Sequence, residues 1–304
     1  MSRLTLDESR RRVQRLWEMF DPCVLCPRRC GARRRSGQIG VCGAGPDIRV
    51  AAWHAHRGEE PPLSGTRGSG TIFSSHCPMK CLFCQNFPFS QLGNGKTMSI
   101  IELSDLYVLL NERRVHNLNF VTGTHFAPHL FDALLRAREQ GVELPVVWNT
   151  SGYESVDLLQ VLEGLVDVYL PDIRYADNAV AAQLSKVGNY VEVDRAALLE
   201  MYRQVGPLVL DAEEIAVRGM IVRHLVLPGG LAGTRPSLTW LRDHIGTDVS
   251  VSLMCQYFPA HQAHQLPGLD RRLTDDEYRQ AIDVLEELGF EKAWAQDPYE
   301  PGCA

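Results

Sequence analysis

The 304-residue chain has no apolar run approaching the roughly 20 residues that cross a bilayer. Its opening, MSRLTLDESRRRVQRLW, has no apolar core of the kind a secretory signal carries. Together these absences argue against a membrane span and predict a cytoplasmic protein. Positive charge is not in excess: 31 Lys and Arg stand against 37 Asp and Glu, a net charge of −6. That balance argues against electrostatic binding of nucleic acid, and the local runs Arg10 to Arg12 and Arg33 to Arg35 read as solvated faces. The cysteines lack an even count. Nine Cys cannot pair completely, and most fall into two tight clusters, which in a reducing compartment points to metal rather than disulfides.

The second cluster lies in TIFSSHCPMKCLFCQN, Thr71 to Asn86, where Cys77, Cys81 and Cys84 follow a strand-like run in CxxxCxxC spacing. Three thiolates on one loop suit three corners of a [4Fe-4S] cluster. Such clusters ordinarily take four Cys, so a missing fourth leaves one iron free to hold a substrate. The alternatives are a structural zinc completed by His76 or a distant residue, and buried thiols without a ligand role.

The first cluster, Cys23, Cys26, Cys30 and Cys42, sits in a Gly- and Arg-rich segment with almost no periodicity, which needs a staple to fold. Four thiolates at this spacing suit a tetrahedral zinc knot or an auxiliary Fe-S cluster, and sequence does not choose between them. The preceding residues 7 to 20 carry Val13, Leu16, Trp17 and Phe20 at helical spacing, an amphipathic helix packed on the main body.

Beyond residue 47 come short extended pieces, with His54 and His56 on one side of a strand, and then a βα alternation. Strands are expected at 71–76, 118–123, 144–152, 166–175, 219–228 and 248–257, with helices between them, one starting at Ser104 as N-cap and one closing at Gly141. Apolar runs alternating with amphipathic helices imply a parallel sheet buried on both faces. Six βα units fall short of the eight that close a barrel. The expected fold is therefore α/β, an open partial (β/α)6 barrel at 47–304 behind a small Cys-rich module at 1–46. In such folds ligands gather at the C-terminal strand ends, where the Cys77 loop lies.

The strand ends carry Thr122, Gly123, Thr124 and His125; Asn149 and Thr150; Asp172 and Arg174; and Arg223 beside His224, of which only one can face the interior. Cys255 reads as a packed small hydrophobe and Cys303 as part of a disordered tail. His261 and His264 fall in a Pro-flanked loop.

The CxxxCxxC stretch, with Phe83 directly before its last Cys, resembles the signature of the radical S-adenosylmethionine (SAM) superfamily. Taken with the N-terminal cysteines, WNTSGYES, LPDIRY and VRHLVLPGG, nearly the whole chain looks like uncharacterised radical SAM proteins related to pyruvate-formate-lyase activating enzyme. The resemblance implies a [4Fe-4S] cluster on Cys77, Cys81 and Cys84 whose open iron chelates SAM. It implies one-electron reduction by a donor such as flavodoxin or ferredoxin, and a 5′-deoxyadenosyl radical that abstracts hydrogen from a substrate. Thr122, Gly123 and Thr124 stand where the family contacts the SAM amino group, with TGTH in place of GGE. Asn149 and Thr150 match its ribose segment, Asp172 and Arg174 its Asp-x-Lys stretch, and Arg223 is a further cofactor candidate. The substrate is a glycyl-radical protein partner, a peptide or a small molecule. The rival expectation is a non-catalytic scaffold or regulator with zinc at both sites.

Overall fold

The computed structural model describes residues 4–297; Cys303 lies outside them. Helix α1 (Leu6–Phe20) starts in a capping box, with Thr5 and Glu8 each bonded to the other's backbone N–H. It buries Val13, Leu16, Met19 and Phe20, and the Trp17 indole donates to Asp132 Oδ2 at 3.0 Å. Residues 21–48 then run without regular structure apart from one 3-10 turn at Arg34–Ser36. Leu25, Ala32, Ala44 and Ile48 from this segment join the same core as the sheet and its helices.

The elements that follow are β1 (Arg49–His56), α2 (Pro61–Ser64), β2 (Ser69–Ser74), α3 (Phe87–Ser90), β3 (Lys96–Thr97), α4 (Ile100–Glu112) and β4 (Leu118–Val121). Next come α5 (Ala127–Glu139), β5 (Val146–Thr150), α6 (Val156–Leu162), β6 (Val168–Pro171), α7 (Asn178–Ser185) and α8 (Tyr190–Val205). The chain closes with β7 (Val209–Leu210), β8 (Ala216–Leu225), α9 (Thr234–His244), β9 (Ser250–Met254), α10 (Asp275–Glu287) and β10 (Ala293–Ala295).

Strands β2, β4, β5, β6, β8, β9 and β10 pair in that order, all parallel. β1 and β3 extend the sheet antiparallel beyond β2, and β7 pairs antiparallel with β8. The order ends at β10 on one side and β3 on the other, so the sheet stays open. The six expected strands are all present, and Ala293–Ala295 add a seventh parallel strand, β10. Central strands are buried on both faces, as the β-branched runs require: Val146, Val147 and Trp148 are fully enclosed.

Two local expectations are corrected. The N-cap of α4 is Ser99, not Ser104: the Ser-x-x-Glu pair Ser99 and Glu102 forms a capping box, and Ser104 lies buried inside the helix. The run Arg33 to Arg35 is not a solvated face throughout, because Arg34 is 0% exposed. Gly141 follows the end of α5 with φ +87°, the left-handed conformation that suits glycine there.

Candidate active site

The parallel strands carry their loops on one side, and a second apolar cluster gathers there. It contains Met79, Cys81 and Phe83 from the loop after β2, Tyr153 after β5, Tyr175 after β6, Leu227 after β8 and Tyr257 after β9. Cys77, Cys81 and Cys84 belong to this assembly. The loop is fixed from several sides. His76 turns the chain with φ +70°, and Leu82 N–H donates to Leu184 O at 2.8 Å. Gln262 N–H donates to Leu82 O at 2.8 Å, and Gln91 Nε2 donates to Cys81 O at 2.7 Å.

The sulfurs are surrounded by donors. Ser185 Oγ donates to Cys81 Sγ at 3.0 Å, itself receiving the Tyr175 hydroxyl at 2.6 Å. Arg174 Nη1 donates to Cys81 Sγ at 3.3 Å, and Cys84 Sγ lies 3.2 Å from Ser90 Oγ. Burial first, then the neighbouring Cys81 and Cys84 charges, push the Cys77 thiol well above its ordinary range; burial and Cys81 also raise Cys84. Three sulfurs this close need a cation before all can ionise. Among the described residues no three His, Cys, Asp or Glu side chains converge on one metal ion. Three sulfurs that interact with one another, with polar donors around them, are a donor set that an iron–sulfur cube can take, with its fourth iron left open.

Arg174 Nε also donates to Asp172 Oδ2 at 2.9 Å. Its backbone N–H donates to the Tyr190 hydroxyl at 3.1 Å, which donates to Ser151 O at 2.8 Å. Asp172 and Arg174 thus form a pair that touches the cysteine loop, and Asn149, next to Trp148 and Thr150 in β5, projects to the opposite sheet face from both. The remaining sequence candidates are placed differently. Thr124 and Thr150 hydroxyls each donate to Glu154 Oε1 at 2.6 Å, joined by Trp148 Nε1 at 3.2 Å. Their partner is therefore a buried carboxylate; Trp148, on the same face, stacks on Phe131 of α5. Gly123 serves close packing, since a Cβ there would stand 2.6 Å from Leu130 and 2.9 Å from the Trp148 ring. Thr122 has φ +54°, and its N–H donates to Asn149 O at 2.8 Å.

Of the Arg223 and His224 pair, His224 is enclosed between Ile173 O at 2.7 Å and Thr234 Oγ1 at 3.0 Å. Arg223 is held by two carboxylates, with Nε to Glu60 Oε1 at 2.7 Å and Nη2 to both Glu60 and Glu59. Asn119 Nδ2 completes Glu59 at 2.9 Å. His125 is a buried neutral imidazole bonded to Ser75 O at 2.7 Å, its pKa lowered to about 3 chiefly by burial. His54 and His56 do share one side of β1, their ring nitrogens 3.4 Å apart. His261 stacks on Phe87 with centroids 4.8 Å apart, and His264 is exposed. Cys255 is buried in the main core.

Sequence reasoning missed Glu59, Glu60, Glu154, Tyr190 and Asp194. For Thr150 a signal was available: Asn149 and Thr150 are adjacent in a strand, so they cannot both face the same side. Asp194 is 1% exposed and carries an Oδ1 without a hydrogen-bond partner beside Gly152, whose φ is +77°.

Comparison with known proteins matches this geometry to a family. The uncharacterized protein MJ0674 of Methanocaldococcus jannaschii is 31% identical over 280 residues, covering 90% of this chain and 77% of that protein. Among solved structures, HydG, a maturase of the [FeFe]-hydrogenase, aligns with a TM-score of 0.50 at 10% identity, over 75% of this chain and 52% of its own. TsrM of Kitasatospora setae, a radical SAM methyltransferase solved with tryptophan and a SAM analogue, gives a TM-score of 0.50 at 11% identity. That alignment covers 75% of this chain and 54% of TsrM. The chain spans about half the length of these two solved proteins, and at such identities they speak to the fold alone. The sequence model of the Radical SAM superfamily matches residues 71–210, from the strand that delivers Cys77 to the end of β7, and the chain belongs to that superfamily.

Proposed function

We propose that the protein is a radical SAM enzyme whose [4Fe-4S] cluster is held by Cys77, Cys81 and Cys84. The observation that carries this reading is the set of three interacting sulfurs at the C-terminal mouth of an open parallel sheet. When bound, the cluster and SAM supply one-electron cleavage of SAM to methionine and a 5′-deoxyadenosyl radical able to abstract hydrogen. The chain's own residues bind and orient. Ser185 and Arg174 hold the Cys81 sulfur, and Asp172 fixes the Arg174 fork. Asn149 and Thr122 lie at the adjoining strand ends, where they frame the SAM side of the mouth, while Gly123 packs that turn on Leu130 and Trp148 and Thr124 ties it to Glu154. Thr150 acts there through Glu154, and Arg223 through its glutamates, as supports of the strand ends.

In this reading residues 1–46 are an appended module on the 47–304 barrel, and Cys23, Cys26, Cys30 and Cys42 hold a second metal. An external one-electron donor such as flavodoxin or ferredoxin feeds the reaction in the cytoplasm. The substrate, as in an activating enzyme, is a protein or peptide segment admitted through the open side of the sheet.

Anaerobic reconstitution with iron and sulfide tests this. A cluster whose electron paramagnetic resonance signal changes on adding SAM is expected, with 5′-deoxyadenosine released on reduction by dithionite. Cys81→Ala should abolish that release; SAM cleavage that survives the substitution refutes the assignment.

A further inference from the structure

The inner face of the sheet carries a polar group near its closed end. Ile72, Phe120, Trp148 and Val222 turn towards the helices and are 0% exposed. Their strand neighbours Phe73, Val121, Asn149 and Arg223, on the other face, are only half-buried. Deeper on that inner face Val147, Val168, Leu170 and Ile221 close on Leu63 of α2, which Asn117 Nδ2 anchors by donating to Leu63 O at 2.9 Å. The inner face is thus shut by α2 at one end and open at the other, where the cysteine loop stands.

Glu59 and Glu60, directly before α2, reach across this face. Glu59 Oε1 accepts from Asn119 Nδ2 of β4 at 2.9 Å, and the same carboxylate meets Arg223 Nη2 of β8. β5 and β6 separate those two strands, a span of about 14 Å on a flat sheet, so the group lies over β5 and β6. Glu60 takes Arg223 Nε at 2.7 Å and Nη2 at 2.6 Å. Glu59 is fixed through its backbone: its N–H donates to Ser64 Oγ at 3.0 Å, and its carbonyl accepts from that hydroxyl at 3.1 Å.

Two independent features give this group a preference. Two carboxylates share one guanidinium, which leaves one negative charge in excess on side chains that are 7% exposed for Glu59, 5% for Glu60 and 13% for Arg223. Asn119, itself 0% exposed, engages Glu59 through Nδ2 and has an Oδ1 without a hydrogen-bond partner. His54, stacked on Phe73 at the edge of the same face, has its pKa lowered by burial and by His56, and so adds no positive charge at neutral pH. An orphaned acceptor beside a carboxylate calls for a donor, and excess negative charge away from water calls for a positive one. An ammonium or a guanidinium is both; a carboxylate or a phosphate is neither.

Resting on the reading that radical chemistry takes place at the mouth, we infer that Glu59 and Asn119, held in place by Glu60 and Arg223, form the recognition site for a cationic group of the substrate, an ammonium or guanidinium. The site is tied to the reacting end. Arg223 bridges Asp172 in the sheet ladder, with Ile173 N–H donating to Arg223 O at 2.8 Å, and Asp172 holds Arg174 against Cys81 Sγ. The cysteine loop is pinned from outside, where Arg28 Nε donates to Pro78 O at 2.6 Å, so the fold sets the span between loop and clamp. A substrate anchored by its cationic end presents its remaining length to the mouth. In a peptide that end is a lysine or arginine side chain, and in a small molecule it is a free amine.

Equilibrium dialysis of the full chain, reconstituted without oxygen, tests this with Nα-acetyl-lysine amide, Nα-acetyl-arginine amide and cadaverine against the uncharged Nα-acetyl-norleucine amide. A basic probe should bind about tenfold or more tighter than the norleucine probe, and equal binding overturns the inference. Tighter binding of the basic amides than of cadaverine supports a peptide source, and the reverse a free amine. Asn119→Leu and Glu59→Gln should each abolish the preference for the basic probes. Asn119→Leu leaves the Arg223 ion pairs in place and so decides the matter if Glu59→Gln does not fold; a preference that survives it overturns the assignment. Loss of basic-probe binding on adding SAM would mark the cofactor's own place and overturn it equally. Binding is read without reduction, so a chain that binds the basic probes yet releases no 5′-deoxyadenosine with dithionite would sink the proposed function and leave this site standing.

Discussion

Arg174 donates to the Cys81 sulfur across 3.3 Å, joining the end of β6 to the loop after β2. A cation and hydrogen-bond donor on a ligand sulfur favours the more negative, reduced form of a cluster. Arg174→Gln should therefore make the cluster harder to reduce, lowering its midpoint potential by something on the order of 60 mV, a tenfold change for one electron. Redox-poised electron paramagnetic resonance reads this, and an unchanged potential would show that the contact has no electronic role.

Gly152 turns with φ +77°, and a Cβ there would overlap both Asp194 Oδ1 and the Asp172 carbonyl. Gly152→Ala should cost about 2 kcal/mol or more, from left-handed strain together with the clash. Denaturant unfolding measures the loss. A stability equal to that of the parent would mean the turn relaxes freely.

Burial pushes the Glu154 carboxyl up to about 7, against the pull of the Thr124, Thr150 and Trp148 donors. The folded state therefore binds this proton more tightly than the unfolded chain, whose ordinary value is about 4.3. Stability from this group is complete below the unfolded value and declines as pH rises to about 7, by as much as about 3 kcal/mol. Glu154→Gln should flatten that part of the profile. An identical slope in the variant would assign the pH dependence elsewhere.

Arg223 is clamped by Glu59 and Glu60, all three largely buried. Arg223→Met leaves two carboxylates without their cation and should destabilise the fold by about 3–5 kcal/mol. The triple change Arg223→Met, Glu59→Gln and Glu60→Gln should recover part of that loss. Thermal unfolding of both variants decides, and a single variant as stable as the parent would show that the clamp is dispensable.

The parallel strands and the cysteine loop were legible because their signals are local: apolar runs four to eight residues long, and three sulfurs within eight positions. What stayed hidden depends on partners far away in the chain. Arg34 reads as one of a surface run until His125 O, 91 positions on, is placed against it. Arg223 looks free to meet a ligand until Glu60, 163 positions earlier, occupies its fork. Thr150 and Ser99 are a different case. Strand alternation and the Ser-x-x-Glu pattern were both in the sequence, and they favour the arrangement the fold adopts.

Arg28 sits between two cysteines of the N-terminal group yet spends its guanidinium on Pro78, the neighbour of Cys77. A disturbance of the outer segment is thereby handed straight to the inner one. Loosening the chain around Arg28 would free Pro78 and, with it, the turn that presents Cys77.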